Sequence, residues 1–299
     1  MVANSKGSQE DTPLMRQLRQ DTQLRRKLEN ATFEAPAETR IISVANQKGG
    51  VGKTSTAVNV AAALAQGGLH VLLIDADPQG NASTALGVEH DPDIASLYDV
   101  LVDDKPLHEI LVPSEQFETL QCAPATIDLS GAEIELVPMV ARESRMKNAI
   151  RAYIEHREQA GEPRLDYIFI DCPPSLGLLT INSLVAAREV LMPIQAEYYA
   201  LEGIAMLWKN IELIQQHLNS DLRVSTILLT MYDGRTRLAS QVAEDVREHF
   251  PEQTLQTLIP RSVRISEAPS YGETVITYDP GSTGALAYRA AAHEISTRS

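Results

Sequence analysis

No apolar run in this chain of 299 residues approaches the roughly 18 residues that cross a bilayer, and residues 1–40 lack the apolar h-region of a secretory signal. A membrane-spanning protein is excluded, and a cytoplasmic location is expected. Cysteine is scarce: Cys122 and Cys172 are the only two, and neither belongs to a CxxC or Cys/His cluster. A disulfide framework or zinc site has no ligands to build on, so both thiols are expected to be buried and inert. Basic charge is also short, with 26 Lys/Arg against 40 Asp/Glu and a net charge of −14. What the chain does have is a 43% hydrophobic share beside 22% charged residues. That balance excludes disorder throughout and supports one large core or two modest ones.

The acid is concentrated in the middle. Residues 1–40 carry a net +1, 41–222 a net −14, 223–264 a net +1 with arginine at every basic position, and 265–299 a net −2. The first forty residues are polar and end near a Pro36-Ala37 break, so residues 1–39 read as an appendage, partly helical or disordered, ahead of a single domain at 40–299. Thr12-Pro13 has the form of a helix start, and Leu14, Leu18, Leu24 and Leu28 fall on one helical face that Asp21 and Arg25 interrupt. Beyond residue 40, short β-rich runs at 40–46, 70–75, 117–122, 166–171, 189–194, 223–230 and 254–259 alternate with helical patterns such as 53–66, 139–159, 199–219 and 237–249. Continuous apolar strands separated by helices predict an α/β fold, doubly wound, with a mostly parallel sheet covered on both faces.

Directly after the first strand stands Lys48-Gly49-Gly50-Val51-Gly52-Lys53-Thr54-Ser55. Gln47 occupies the slot of the usual first glycine, so the plain phosphate-loop pattern is not met, but its physics is. Glycines let the backbone approach phosphate oxygens, amide N–H groups cradle them, and the next helix presents its positive end. Lys53 is placed to neutralise the β- and γ-phosphates of ATP, and the Thr54 hydroxyl to ligate Mg²⁺. A glycine-rich turn kept for packing alone is the bland alternative, and the two lysines and threonine in register argue against it.

Asp171 ends an apolar strand ahead of Cys172-Pro173-Pro174, so its carboxylate emerges at the C-terminal edge of the sheet, where open α/β sheets bind ligands. It suits a Mg²⁺-holding role, with turn capping as the alternative. Asp75 and Asp77 are two apart at the end of another strand, so both side chains point the same way.

The K-G-G-V-G-K-T loop resembles the deviant Walker A box of the ParA/MinD ATPases. Asn46-Gln47, the run Asp75-Ala76-Asp77-Pro78-Gln79-Gly80-Asn81-Ala82, Asp171-Cys172-Pro173-Pro174-Ser175, Ile259-Pro260-Arg261 and Ser266-Glu267-Ala268-Pro269-Ser270 are similar, in order, to the ParA (Soj-like) partition branch over roughly 40–299. The resemblance implies a P-loop ATPase using ATP and Mg²⁺, in which ATP drives a sandwich homodimer, the dimer binds double-stranded DNA nonspecifically, and a ParB-type centromere-binding partner stimulates hydrolysis and release. It implies a nucleoid-associated protein. By the same resemblance Asp75 supports the Mg²⁺ water shell, Asp77 positions or activates the attacking water, and Lys48 reaches the partner's phosphates in trans. A charge supplied that way acts only after dimerisation, as an arginine finger does; a surface lysine without a role is the alternative.

Pro260 and Ser262 fall where the family contacts adenine, although asparagine is common at the second position. Arg235 and Arg264 match the family's DNA-binding arginines best, with Arg261 flanking the same loop and Arg237 close by. Binding to phosphates depends on local contacts rather than total charge, and solvated surface arginines are the alternative. A MinD-like membrane-cycling ATPase would need a C-terminal amphipathic anchor, and Ala285–Ser299 has few large apolar residues and no basic stripe. An iron–sulfur carrier of the superfamily would need paired cysteines. A nucleotide-gated binding module with little hydrolysis is the remaining competitor.

Overall fold

The computed structural model describes residues 22–28 and 31–298. In chain order the elements are helix α1 over 22–28, then β1 (Arg40–Val44), α2 (Lys53–Gln66), β2 (Val71–Asp75), α3 (Asn81–Ala85), α4 (Leu97–Val102), β3 (Val112–Pro113), β4 (Leu120–Ala123), α5 (Leu129–Glu135) and α6 (Arg145–Ala160). There follow β5 (Tyr167–Asp171), α7 (Leu178–Ala186), β6 (Glu189–Gln195), α8 (Ala200–His217), β7 (Arg223–Tyr232), α9 (Arg237–His249), β8 (Thr254–Pro260), α10 (Val263–Glu267), α11 (Val275–Tyr278) and α12 (Thr283–Ser296).

Alternation along the strands builds two cores. In β2, Leu72 and Ile74 enter one cluster with residues of α6, α7 and α8, while Val71 and Leu73 enter another with α2 and α12. A strand apolar at every position is thus buried on both faces, as expected of a parallel sheet with helices above and below. The strands lie in the order β3-β4-β2-β5-β1-β6-β7-β8. All neighbours are parallel except β3 and β4. The chain runs to one side of β1 for β2 and to the other for β6, β7 and β8, so the crevice for ligands opens at the C-terminal ends of β1 and β5.

Helices α2 and α9 occupy the expected 53–66 and 237–249. The helix expected at 139–159 begins at Arg145, because Ala141 is left-handed (φ 54°) and interrupts the run. The strand expected at 117–122 is shifted to Leu120–Ala123, as Phe117 and Leu120 close a turn instead (Leu120 N–H to Phe117 carbonyl, 3.1 Å). The two-residue β3 is too short for any periodic signal, and its Pro113 sits on the sheet's edge, where a missing N–H is tolerated.

Leu14, Leu18 and the Thr12-Pro13 start lie outside the described residues, but Leu28 is buried. The segment leading to β1 is tied to the body. Thr39 donates to the Leu165 carbonyl (2.6 Å), Arg164 to the carbonyls of Pro36 (2.5 Å) and Ala37, and Arg188 pairs with Glu38 (2.9 Å).

Candidate active site

The phosphate loop is held open by its ends. The Asn46 side chain accepts from the Lys48 N–H (2.9 Å) and donates to the Pro193 carbonyl of β6 (2.8 Å), while Thr230 of β7 donates to the Val51 carbonyl (2.8 Å). Gly50 (φ 74°) and Gly52 (φ 86°) take left-handed backbone that a side chain would strain. Gly52 caps α2 without a side-chain partner, so the first-turn N–H groups of the helix face the loop. Lys53 is buried and its ammonium donates to the Lys48 carbonyl (3.3 Å), arched back over the loop. Burial lowers its pKa, and the nearby Asp171, Cys172 and Asp77 oppose that shift.

Three carboxylates face this loop. Asp75 and Asp171 are register partners on β2 and β5, and Val44, the last residue of β1, pairs with Asp171 on the other side. Asp75 is fully engaged: one oxygen accepts from the Ser83 N–H (2.9 Å) and hydroxyl (2.8 Å), the other from the Asp77 N–H (3.2 Å). Burial still pushes it up to about 6, against the pull of the Ser83 and Asp77 hydrogen bonds. Asp77, at 8% exposure, accepts from the Gln79 N–H (3.1 Å).

Asp171 differs. It has no exposed surface, and among the described residues neither carboxylate oxygen meets a well-aligned hydrogen-bond donor, although the Thr54 hydroxyl lies close enough to pull on it. Burial, with Asp75 and Asp77 adding repulsion, holds it well above the usual carboxylate range, while Thr54 and Lys53 pull the other way. A fully buried carboxylate with so little to offset its charge is costly unless a cation completes it. Hard divalent cations take oxygen ligands of this kind, and the Thr54 hydroxyl stands beside it. The residues present therefore fit Mg²⁺.

Lys48 is half-exposed and its ammonium forms an ion pair with Glu197, in the loop after β6. Pro260 ends β8 opposite Tyr232 of β7, and Ser262 caps α10 with no side-chain hydrogen bond to the helix. These two share the sheet edge with the loop but stand three strands from β1. The arginines lie further out. Arg235 is held bidentate by Asp233 (2.8 and 2.7 Å), an interaction that pulls Asp233 down to about 2. Arg264 pairs with Glu267 (3.0 Å) and Asp279 (3.3 Å). Arg237 and Arg261 are exposed, and the Arg261 N–H is bound by the Tyr232 carbonyl (3.1 Å). Both cysteines are buried and free; burial pushes Cys172 up to about 12.

Sequence reasoning did not find Ser83, Glu197 or Asp233. Glu197 acts on Lys48 across the fold, whereas Ser83 and Asp233 act within turns close to Asp75 and Arg235, where the path of the turn and not a sequence motif brings them together.

A family profile described as an AAA domain matches residues 39–224. The chain is 51% identical over 256 residues to the sporulation initiation inhibitor protein Soj of Bacillus subtilis, covering 86% of this chain and 98% of the relative. It is 50% identical over 259 residues to the chromosome partitioning protein ParA of Myxococcus xanthus, covering 87% and 88%. The chain belongs to the ParA/Soj family of chromosome-partitioning ATPases. Among solved structures it resembles a Mycobacterium smegmatis protein described as cobyrinic acid a,c-diamide synthase with bound ADP and magnesium (37% identity, TM-score 0.71, 85% of this chain and 92% of that one). It also resembles the Pyrococcus furiosus cell division ATPase MinD (28% identity, TM-score 0.68, 86% and 98%). As a ParA/Soj protein the chain is an Mg²⁺-dependent ATPase.

Proposed function

We propose that this partition ATPase works as an ATP-gated, nonspecific DNA binder whose hydrolysis is triggered by a ParB-type centromere-binding partner. The observation that carries the reading is the fully buried Asp171 carboxylate, set in register with Asp75 beside a glycine loop that holds two lysines. When bound, Mg²⁺ supplies charge neutralisation across the β- and γ-phosphates. Lys53 neutralises phosphate charge, and the loop's N–H groups and the N-terminus of α2 orient the phosphates. Asp75, bound to Ser83 and the Asp77 N–H, fixes the turn that presents Asp77. Asp77 is proposed to orient the attacking water and accept its proton.

Pro260 and Ser262 lie three strands from β1, roughly 14 Å away at ~4.8 Å per strand. A nucleotide with phosphates at the loop and base at Ser262 covers that span. Lys48 is proposed to leave Glu197 and contact the phosphates of a second copy, so that catalysis waits for an ATP-bound homodimer. Arg235, Arg261 and Arg264 are proposed to contact DNA phosphates, which would place the protein in the cytoplasm on the nucleoid.

The membrane-cycling alternative loses support from α12, whose Leu286, Tyr288 and Ile295 are buried in the core. Among the described residues no helix is long and apolar enough to cross a membrane. The test is phosphate release measured alone, with duplex DNA, and with DNA plus the centromere-binding partner. Release should be slow alone and rise when both are present; a rate indifferent to both removes the partition cycle and leaves a plain ATPase.

A further inference from the structure

Asp75 and Asp171 end strands and are held by register, but Asp77 stands two residues beyond β2, on a turn. That turn is closed by the Gly80 N–H, which donates to the Asp77 carbonyl (2.9 Å), and by the Gln79 N–H on the Asp77 carboxylate. Gly80 then caps α3 in left-handed backbone (φ 64°), with no side chain to hold the helix start. A helix of five residues has little stability of its own.

The chain leaving α3 folds back to brace it. The Gly87 N–H donates to the Thr84 carbonyl (3.0 Å) and the Val88 N–H to the Ser83 carbonyl (3.0 Å), and the buried Val88 side chain anchors the reversal. Two residues later the half-buried His90 lies over Gly80, so close that a Cβ there would come within 2.2 Å of the ring.

Thr84 links the two. Its hydroxyl donates to the Gly80 carbonyl (3.0 Å) and lies 3.0 Å from His90 Nε2. A hydroxyl carries one proton. With that proton on the carbonyl, His90 Nε2 must carry the hydrogen of the second contact, which assigns the imidazole as donor. A relay results, running from His90 to Thr84, from Thr84 to Gly80, and from Gly80 to the carbonyl of Asp77.

We propose that His90 is a positioning residue for hydrolysis, holding through Thr84 and Gly80 the turn from which Asp77 addresses the attacking water; this rests on the reading of Asp77 above. Among the described residues its hydrogen bond goes to Thr84 alone. Loosening it should therefore misplace Asp77 and leave Asp171 and the loop lysines where they are. A misplacement of about 1 Å in a reacting group costs on the order of a hundredfold in rate.

The test compares the full wild-type chain with His90→Ala, with His90→Phe, which covers Gly80 without a donor, and with His90→Gln, whose amide can still donate to Thr84. Thr84→Val breaks the same relay from its middle. Turnover and the Mg-ATP dissociation constant are measured for each, with a thermal melt to confirm folding. His90→Ala, His90→Phe and Thr84→Val should lose roughly tenfold to a hundredfold in kcat and keep the wild-type Mg-ATP affinity; His90→Gln should recover most of the turnover. Wild-type kcat in the first three variants overturns the inference. A loss of Mg-ATP affinity as large as the loss of kcat overturns it too, since that marks a merely structural role, and so does a His90→Gln variant as slow as His90→Phe. Asp77→Ala is run alongside. If it is inactive while His90→Ala turns over normally, only the relay fails; if Asp77→Ala itself turns over normally, the parent reading falls and the inference with it.

Discussion

The Lys48 ammonium is paired with the Glu197 carboxylate, which joins the phosphate loop to the turn after β6. Lys53, five residues on, is buried and arched over the same loop. Two lysines of one loop are thus held in opposite ways, one committed to the loop's interior and one tethered at its rim.

Distinct defects follow for the two. Lys53→Ala should abolish ATP binding, because it removes the cation inside the cradle. Lys48→Ala should keep nucleotide but lose productive dimerisation or hydrolysis. Glu197→Gln frees Lys48 and should raise the ATP-dependent dimer fraction. Nucleotide titration and gel filtration read these out; equal nucleotide-binding losses in Lys48→Ala and Lys53→Ala would overturn the in-trans assignment.

The carboxylates separate in the same manner. Asp77→Ala should bind ATP, dimerise and stay on DNA without turning over, since Asp171, Asp75 and the loop remain. Asp171→Ala should already be impaired in Mg-ATP binding, because it removes the buried carboxylate that fits the cation. Normal turnover in Asp77→Ala would show that the water-activating group is elsewhere.

For the arginines, Arg235→Ala or Arg264→Ala should weaken DNA binding while leaving ATP binding intact. Removing an arginine that neutralises a DNA phosphate reduces the salt slope by about 0.9. Both arginines are partly neutralised within the chain, by Asp233 and by Glu267 with Asp279. Asp233→Asn should therefore tighten DNA binding at the same salt. A slope unchanged in both alanine variants would leave these residues as ordinary surface charge.

Away from the site, Arg40 and Glu189 form a two-pronged pair (2.8 and 2.7 Å), with Glu189 only 3% exposed. Burial alone would raise the Glu189 pKa, but the Arg40 hydrogen bonds and charge, with Ser225 and Arg223 helping, outweigh it and hold the group below its ordinary value. A depressed carboxylate contributes stability above its unfolded pKa, near about 4.3, and loses it as pH falls through the folded value. Arg40→Ala leaves the buried carboxylate with only the more distant Arg223 (4.0 Å) as a charge partner and should cost up to about 3–5 kcal/mol. Arg40→Ala should also flatten the loss of stability below about pH 4, which denaturant melts at pH 7 and in acid will check.

Much of this was legible in the sequence because the signals are local. Lys48 to Ser55 between an apolar strand and a helix points to phosphate binding, and the continuous apolar runs around Leu72 and Phe169 announce a sheet buried on both faces. The helix start at Arg145 was not legible, since a left-handed Ala141 leaves no compositional mark. Glu197 and Ser83 were invisible for another reason: each finds its partner across the fold or in a turn whose path the side chains themselves settle. The segment ahead of β1 is similar. Phe33 lies in a polar stretch, and its value comes from Gly67, far along the chain, which leaves room for its ring.

The central claim is that nucleotide state controls DNA binding. It is tested most directly by the anisotropy of a labelled nonspecific duplex titrated with protein in Mg-ATP and in Mg-ADP, with Asp77→Ala included to hold the ATP state. The account predicts binding in Mg-ATP, strongest for Asp77→Ala, and little in Mg-ADP; equal binding in both nucleotides, or none in either, would contradict it.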